Sequence, residues 1–147
     1  MSDDALEFFN HLSGRLSIEL TEPPQKAAPH LLNLVATPTA RVKAVAMSFE
    51  VFEGGEDFRE LTEEEWNRPI IRQPRIRMRS VDTDDVIIEH AAPNGQWFTV
   101  RDLANAIART EQDSREHGEW LGGVDVHHVF FEGIELEDDV WTICWGS

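Results

Sequence analysis

Residues 124–147 read VDVHHVFFEGIELEDDVWTICWGS, and the pairing within this stretch decides the fold. Taken as a strand, residues 124–136 put Val124, Val126, His128, Phe130, Glu132, Ile134 and Leu136 on one face, with Asp125, His127, Val129, Phe131 and Glu135 on the other. A tight turn at Glu137-Asp138 returns the chain as Asp139 to Trp145. That register sets Trp141 opposite Ile134, Ile143 opposite Glu132 and Trp145 opposite Phe130. It gathers Phe130, Ile134, Trp141, Ile143 and Trp145 on the core side, where cross-strand aromatic pairs add stability beyond their area. A longer turn would shift this pairing, and a β-bulge near Gly133 would alter the spacing of His128 and Glu132 on their shared face.

The adjacent imidazoles of His127 and His128 raise the question of a metal. A zinc ion needs its ligand atoms about 2 Å from one point. Neighbouring strand residues point to opposite faces, so these two rings cannot share an ion. His128 and Glu132 share a face but stand about 13 Å apart at ~3.3 Å per residue. No metal and no cofactor is expected. Cys144, the one cysteine, alternates with Ile143 and Trp145 and reads as a small buried hydrophobe.

The segment before the hairpin reads PNGQWFTVRDLANAIARTEQDSREHGEW, residues 93–120. Asn94-Gly95 marks a tight turn. Thr99 and Asp102 form a Thr-x-x-Asp helix start. Val100, Leu103, Ala104, Ile107 and Ala108 then follow at the spacing of one buried helical face, which predicts a helix over about 100–117 with Gly118 as its stop. Beyond Ala108 the stripe turns polar at Glu111, Gln112 and Arg115, so the second half of the helix is expected to project into water.

Further toward the N-terminus, RIRMRS (75–80) and DVIIEHAA (85–92) predict two strands joined by an acidic turn, with Ile76 and Met78 on one face and Arg75, Arg77 and Arg79 on the other. One register pairs Arg77 with Glu89. RVKAVAMSFEVFE (41–53), apolar on both faces in its middle, predicts a central strand that Gly54-Gly55 breaks. Thr62 with Glu65 can cap a single helical turn that Pro69 limits. HLLNLVAT (30–37) is ambiguous between strand and helix, and TEPPQKAAP (21–29) is loop. RLSIEL (15–20) predicts a short strand. DDALEFFNHL (3–12) predicts a short helix with Leu6, Phe9 and Leu12 on its apolar side, stopped by Gly14. The whole reads as one α+β domain over 1–147: a mainly antiparallel sheet of about five or six strands, with one principal helix packed on one face.

A chain of 147 residues with 41% hydrophobic and 28% charged residues has enough apolar surface for a core without disulfide or metal staples. No intramolecular disulfide is possible, which fits a reducing compartment. The N-terminus lacks a basic start and a long apolar run, so no signal peptide is expected, and no run is long enough for a membrane helix. A cytoplasmic protein is the expectation. The net charge of −15 opposes nucleic acid and anionic membranes at long range. The charge is uneven: residues 1–80 hold 10 Lys/Arg against 13 Asp/Glu, and residues 81–147 hold 3 against 15. The cluster Arg68, Arg72, Arg75, Arg77 and Arg79 is expected to face that acidic half within one fold.

No phosphate loop, dinucleotide fingerprint, nucleophile elbow or H-E-x-x-H stretch is present. Three readings of function follow. The first is a non-catalytic protein-binding module that neutralises a basic partner, with Trp66 and Trp120 as anchors. The alternative is a small-molecule-binding domain or small enzyme. Its pocket would lie between helix and sheet, lined by Trp97, Phe130, Trp141 and Trp145, with His128 and Glu132 as polar groups. The third is a homodimer through an edge strand, the closing strand being the candidate.

Overall fold

The computed structural model describes residues 4–20, 42–81, 83–115 and 128–146. Along the chain run α1 (Asp4–Asn10), β1 (Ser13–Leu20), β2 (Val42–Gly54), β3 (Asp57–Glu60), α2 (Glu63–Trp66), β4 (Pro69–Ile71), β5 (Arg75–Ser80), β6 (Thr83–Ala91), β7 (Phe98–Thr99), α3 (Val100–Arg115), β8 (Phe130–Glu137) and β9 (Val140–Gly146). The segments 21–29 and 30–37, the expected stop at Gly118, and His127 and Trp120 lie outside the described residues.

The fold is α+β with one principal helix. The sheet differs from the expected five or six mainly antiparallel strands. It has seven, in the order β3-β2-β1-β8-β9-β5-β6, and a separate two-stranded sheet joins β4 to β7. Segments of two to four residues such as β3, β4 and β7 are too short for alternation to reveal. The sheet is also mixed. After the β5–β6 hairpin the chain crosses through α3 and returns as the β8–β9 hairpin, which sits between β1 and β5. That insertion makes β9 run parallel to β5, pairing Met78 with Trp141 and Ser80 with Ile143. The closing strand is therefore interior, and among the described residues the edges are β3 and β6.

Helix α3 starts as its sequence predicts. The Thr99 N–H donates to the Asp102 carboxylate at 3.0 Å, and the Asp102 N–H donates to the Thr99 hydroxyl at 3.1 Å. Val100, Leu103, Ala104 and Ile107 are buried. The second half does not project into water. Thr110, Glu111, Ser114 and Arg115 are buried as well. The hydroxyls of Thr110 and Ser114 donate back to the carbonyls of Ala106 (2.8 Å) and Thr110 (2.7 Å), which meets the requirement that buried polar groups be bonded.

The closing hairpin corrects the expected register. Its turn residues are Asp138 and Asp139, with φ of 50° and 66°. Left-handed backbone at both central positions matches the twist of a two-residue hairpin. The turn thus sits one residue later than Glu137-Asp138, so Trp141 opposes Leu136 and Ile143 opposes Ile134. A bulge then falls between Phe131 and Ile134. Gly133 adopts φ 105° there, a conformation open to glycine and costly for other residues. The Asn10 side chain clamps the bulge by accepting from Ile134 N–H at 2.9 Å and donating to its carbonyl at 3.2 Å. The extra residue reverses which side chains face inward. Phe131, opposite Trp145, joins the core, while Phe130, opposite Gly146, is 46% exposed.

The described helices share the sheet face that carries Phe49, Met78, Phe131, Ile143 and Trp145. Phe9 of α1 meets Phe49 at 5.3 Å and Phe131 at 5.4 Å between ring centroids, and Phe131 continues the contact to Trp145 at 6.1 Å. Gly14 belongs to this packing and is not the stop of α1: a Cβ there would lie 2.6 Å from Met47 Cε and 2.7 Å from Phe49 Cε1. The opposite, outer face carries Arg75, Arg77 and Arg79. The observed register does pair Arg77 with Glu89, but the ion pair goes to Arg75 at 3.1 Å. Arg79 reaches Glu137 at 3.5 Å and donates to Thr142 at 3.0 Å, so part of the basic strand is turned toward the acidic half. No described helix is long and apolar enough to cross a membrane.

Candidate functional site: the acidic β2–β3 hairpin

Gly54 (φ 103°) and Gly55 (φ 62°) turn β2 into β3. The register pairs Glu50 with Glu60, Val51 with Arg59 and Phe52 with Phe58. Directly opposed residues share a face, so Glu50, Glu60, Phe52 and Phe58 stand together on the outer side. Phe52 is 52% exposed and Phe58 49%, with their rings 5.3 Å apart. Residues 50–65 contain eight carboxylates and one cation, Arg59, a net of −7 in sixteen residues.

Arg59 is already engaged on the other side of the hairpin. Its guanidinium forks onto both oxygens of Glu65 at 2.7 and 2.9 Å and reaches Glu53 at 3.2 Å. Glu65 also closes the expected capping box with Thr62. The Arg59 bonds, followed by the Thr62 N–H, hold its carboxyl down to about 2. None of the described ion pairs reaches Glu50 or Glu60. Two like charges thus face each other across neighbouring strands, an arrangement that destabilises the isolated hairpin.

The six residues proposed from the sequence as one pocket lie apart. Met78, Leu103, Ile107 and Ile143, all fully buried, fill the space between α3 and the sheet. Phe130 and Glu132 are exposed, and the Glu132 carboxylate lies beside Gly146. Trp141 is buried at the other end of β9 and lines a groove with α1 and β4. Trp97 is half-buried under the Arg72 guanidinium, 5.9 Å from its ring centre. His128 and Trp145 do come together, through Arg115. Trp66 is half-buried and packed on the core beside Phe49, with Arg101 over its ring at 5.6 Å.

The residues that the sequence reading missed are Glu111 and Arg115. The Glu111 carboxylate is 0% exposed. It accepts from Arg115 Nε at 2.6 Å and from the Trp145 indole N–H at 2.9 Å. Arg115 also donates to the His128 carbonyl at 2.5 Å and lies over the Trp145 ring. The signal was spacing: 103, 107, 111 and 115 fall on one helical face. Both Glu111 oxygens serve partners within the fold, so this is a clasp joining α3 to β8 and β9. Nearby, His90 Nε2 lies 2.7 Å from the Thr110 hydroxyl. That hydroxyl gives its proton to Ala106 O, so it accepts from the ring and fixes a neutral Nε2–H tautomer. Burial, then the charge of Arg109, pushes the His90 pKa down, with Asp113 partly opposing.

Cys144 is half-buried, not fully buried, on the outer face. Burial and the carboxylates of Glu135, Glu137 and Glu132 push its thiol up, which makes it a poor nucleophile. Among the described residues no three His, Cys, Asp or Glu side chains gather as a ligand set. Compared with known proteins, the chain matches no family model, no curated protein and no solved structure.

Proposed function

We propose that this chain is a non-catalytic protein-binding module whose contact surface is the outer face of the β2–β3 hairpin. Its partner is a protein that presents Lys or Arg around an apolar segment. The observation that carries the reading is the juxtaposition of an opposed carboxylate pair, Glu50–Glu60, with an opposed, half-exposed aromatic pair, Phe52–Phe58. A cation seated between the carboxylates relieves their repulsion, and an apolar side chain beside it covers the rings. Binding centres commonly combine aromatic anchors with a charged rim of this kind.

Magnitudes indicate how the two parts divide the work. Covering half of each phenylalanine removes about 200 Å² from water, or about 5 kcal/mol at ~25 cal/mol per Å². Association costs about 4–15 kcal/mol, so the rings alone give little net affinity. The acids supply complementarity and a fast approach for a basic partner. They also argue against a second copy of the chain here, because two hairpins of net −7 would meet.

The test is affinity capture from a lysate with the natural chain, Phe52→Ser/Phe58→Ser and Glu50→Lys/Glu60→Lys, quantified by mass spectrometry. These side chains are exposed, so both variants keep the fold. A basic protein retained by the natural chain and lost from both variants is the expected result. A captured set that is identical for all three baits refutes the reading.

A further inference from the structure

Helix α1, strand β4 and the start of β9 enclose a groove of about 680 Å³ at the end of the molecule away from the α3 clasp. Leu6, Ile70, Ile71 and Trp141 supply its apolar wall, and Arg68 and Arg72 stand on its rim. Arg68 lies over the Phe8 ring at 5.1 Å and Arg72 over the Trp97 ring at 5.9 Å. No described hydrogen bond or ion pair engages either guanidinium side chain. That is notable in a chain with 28 acids against 13 bases. A contact with a ring face holds a guanidinium in place and uses none of its five N–H donors.

We infer that this groove is a binding site for a small amphipathic monocarboxylate, an alkyl or aryl body carrying one anionic end. The volume lies within the range of small-molecule sites, about 300–1,000 Å³. The apolar wall takes the body. The two guanidiniums take the carboxylate, whose planar oxygens match their geometry. The charge of the whole chain selects against more highly charged ligands. A net of −15 repels a phosphate or nucleotide more strongly than a single carboxylate, and Asp4 on the same rim adds to that bias. The site is separate from the β2–β3 hairpin and does not depend on that surface binding a protein.

Octanoate and its neutral counterpart 1-octanol are the probes, titrated into the full chain at 0.15 M salt and followed by amide and indole NMR shifts. Octanoate is expected to give saturable one-site shifts at Ile70, Ile71 and the Trp141 indole, with octanol bound about a hundredfold more weakly, the factor two charge-assisted contacts supply. Arg72→Gln, at an exposed position that leaves the core untouched, should weaken octanoate about tenfold and leave octanol unchanged. Arg68→Gln/Arg72→Gln should bring the two probes to equal affinity. Octanol binding as tightly as octanoate overturns the inference, as does octanoate shifting residues elsewhere or nowhere. Unaltered octanoate binding by Arg72→Gln overturns it too.

Discussion

The Glu111–Arg115 clasp supports a prediction that a surface ion pair would not. Glu111 is 0% exposed and Arg115 5%, so each charge has exchanged water for the other and for fixed protein dipoles. Removing one partner takes the described ion pair from the second buried charge, at a cost of about 3–5 kcal/mol. Glu111→Leu takes the carboxylate from both Arg115 Nε and the Trp145 indole. Arg115→Met leaves the carboxylate with the indole and releases the His128 carbonyl. Against a total stability of about 5–15 kcal/mol, either change consumes a large fraction of the fold. The double variant Glu111→Leu/Arg115→Met removes both desolvated charges together. Of the bonds described, those left unmet are one indole N–H and one carbonyl, about 1–3 kcal/mol each, and the single variants already carry these losses. The double variant is therefore expected to lose at least about 3 kcal/mol less than the sum of the singles. Equilibrium urea unfolding at pH 7, followed by tryptophan fluorescence and far-ultraviolet circular dichroism, measures all four corners of the cycle. Additive losses, or single losses below about 1 kcal/mol, would show that the pair is solvated and would remove the clasp from the account.

Gly133→Ala forces a side chain into φ 105° and puts its Cβ 3.3 Å from Asn10 Cγ. The expected loss is about 1–2 kcal/mol in urea unfolding, and an unchanged midpoint would mean the strand is regular there. At Gly14, substitution by Val meets Met47, Phe49 and Phe131 side chains at under 3 Å. It should cost about 1–3 kcal/mol by overpacking, and native stability would refute the close approach. His90 has a lowered folded-state pKa, so the unfolded chain binds the extra proton more readily. Its stabilising contribution is present above the ordinary value of 6.5 and is lost as pH falls from there through the lowered value. His90→Gln should flatten that part of the stability–pH curve, and an unaltered slope would assign the loss to other groups. With its thiol pushed up by burial and the nearby carboxylates, Cys144 in the native chain should react with a disulfide reagent at pH 8 more slowly than in urea, and equal rates would contradict its burial.

Local signals were legible where one residue type forces one geometry. The Thr62–Glu65 and Thr99–Asp102 helix starts, the turn at Asn94-Gly95 and the Ile76/Met78 face all follow from pairs a few residues apart. What the sequence hid lies either in the parity of a strand or in partners far along the chain. Alternation states that neighbours face opposite ways, and a single bulge reverses every assignment beyond it. Gly133 marks that reversal, but the side chain that clamps it is Asn10, 124 positions away from Ile134. The polar end of α3 was misread for a similar reason. Glu111 and Arg115 belong to a buried face only because Trp145 and His128 arrive from the closing hairpin to bond them. With Phe130 turned outward and packed under Arg15, the outer face carries aromatic groups from β8 as well as from β2 and β3. The described helices all occupy the other side. Among the described residues, the bulge thus decides which β8 side chains share the outer face with the hairpin proposed above as the binding surface.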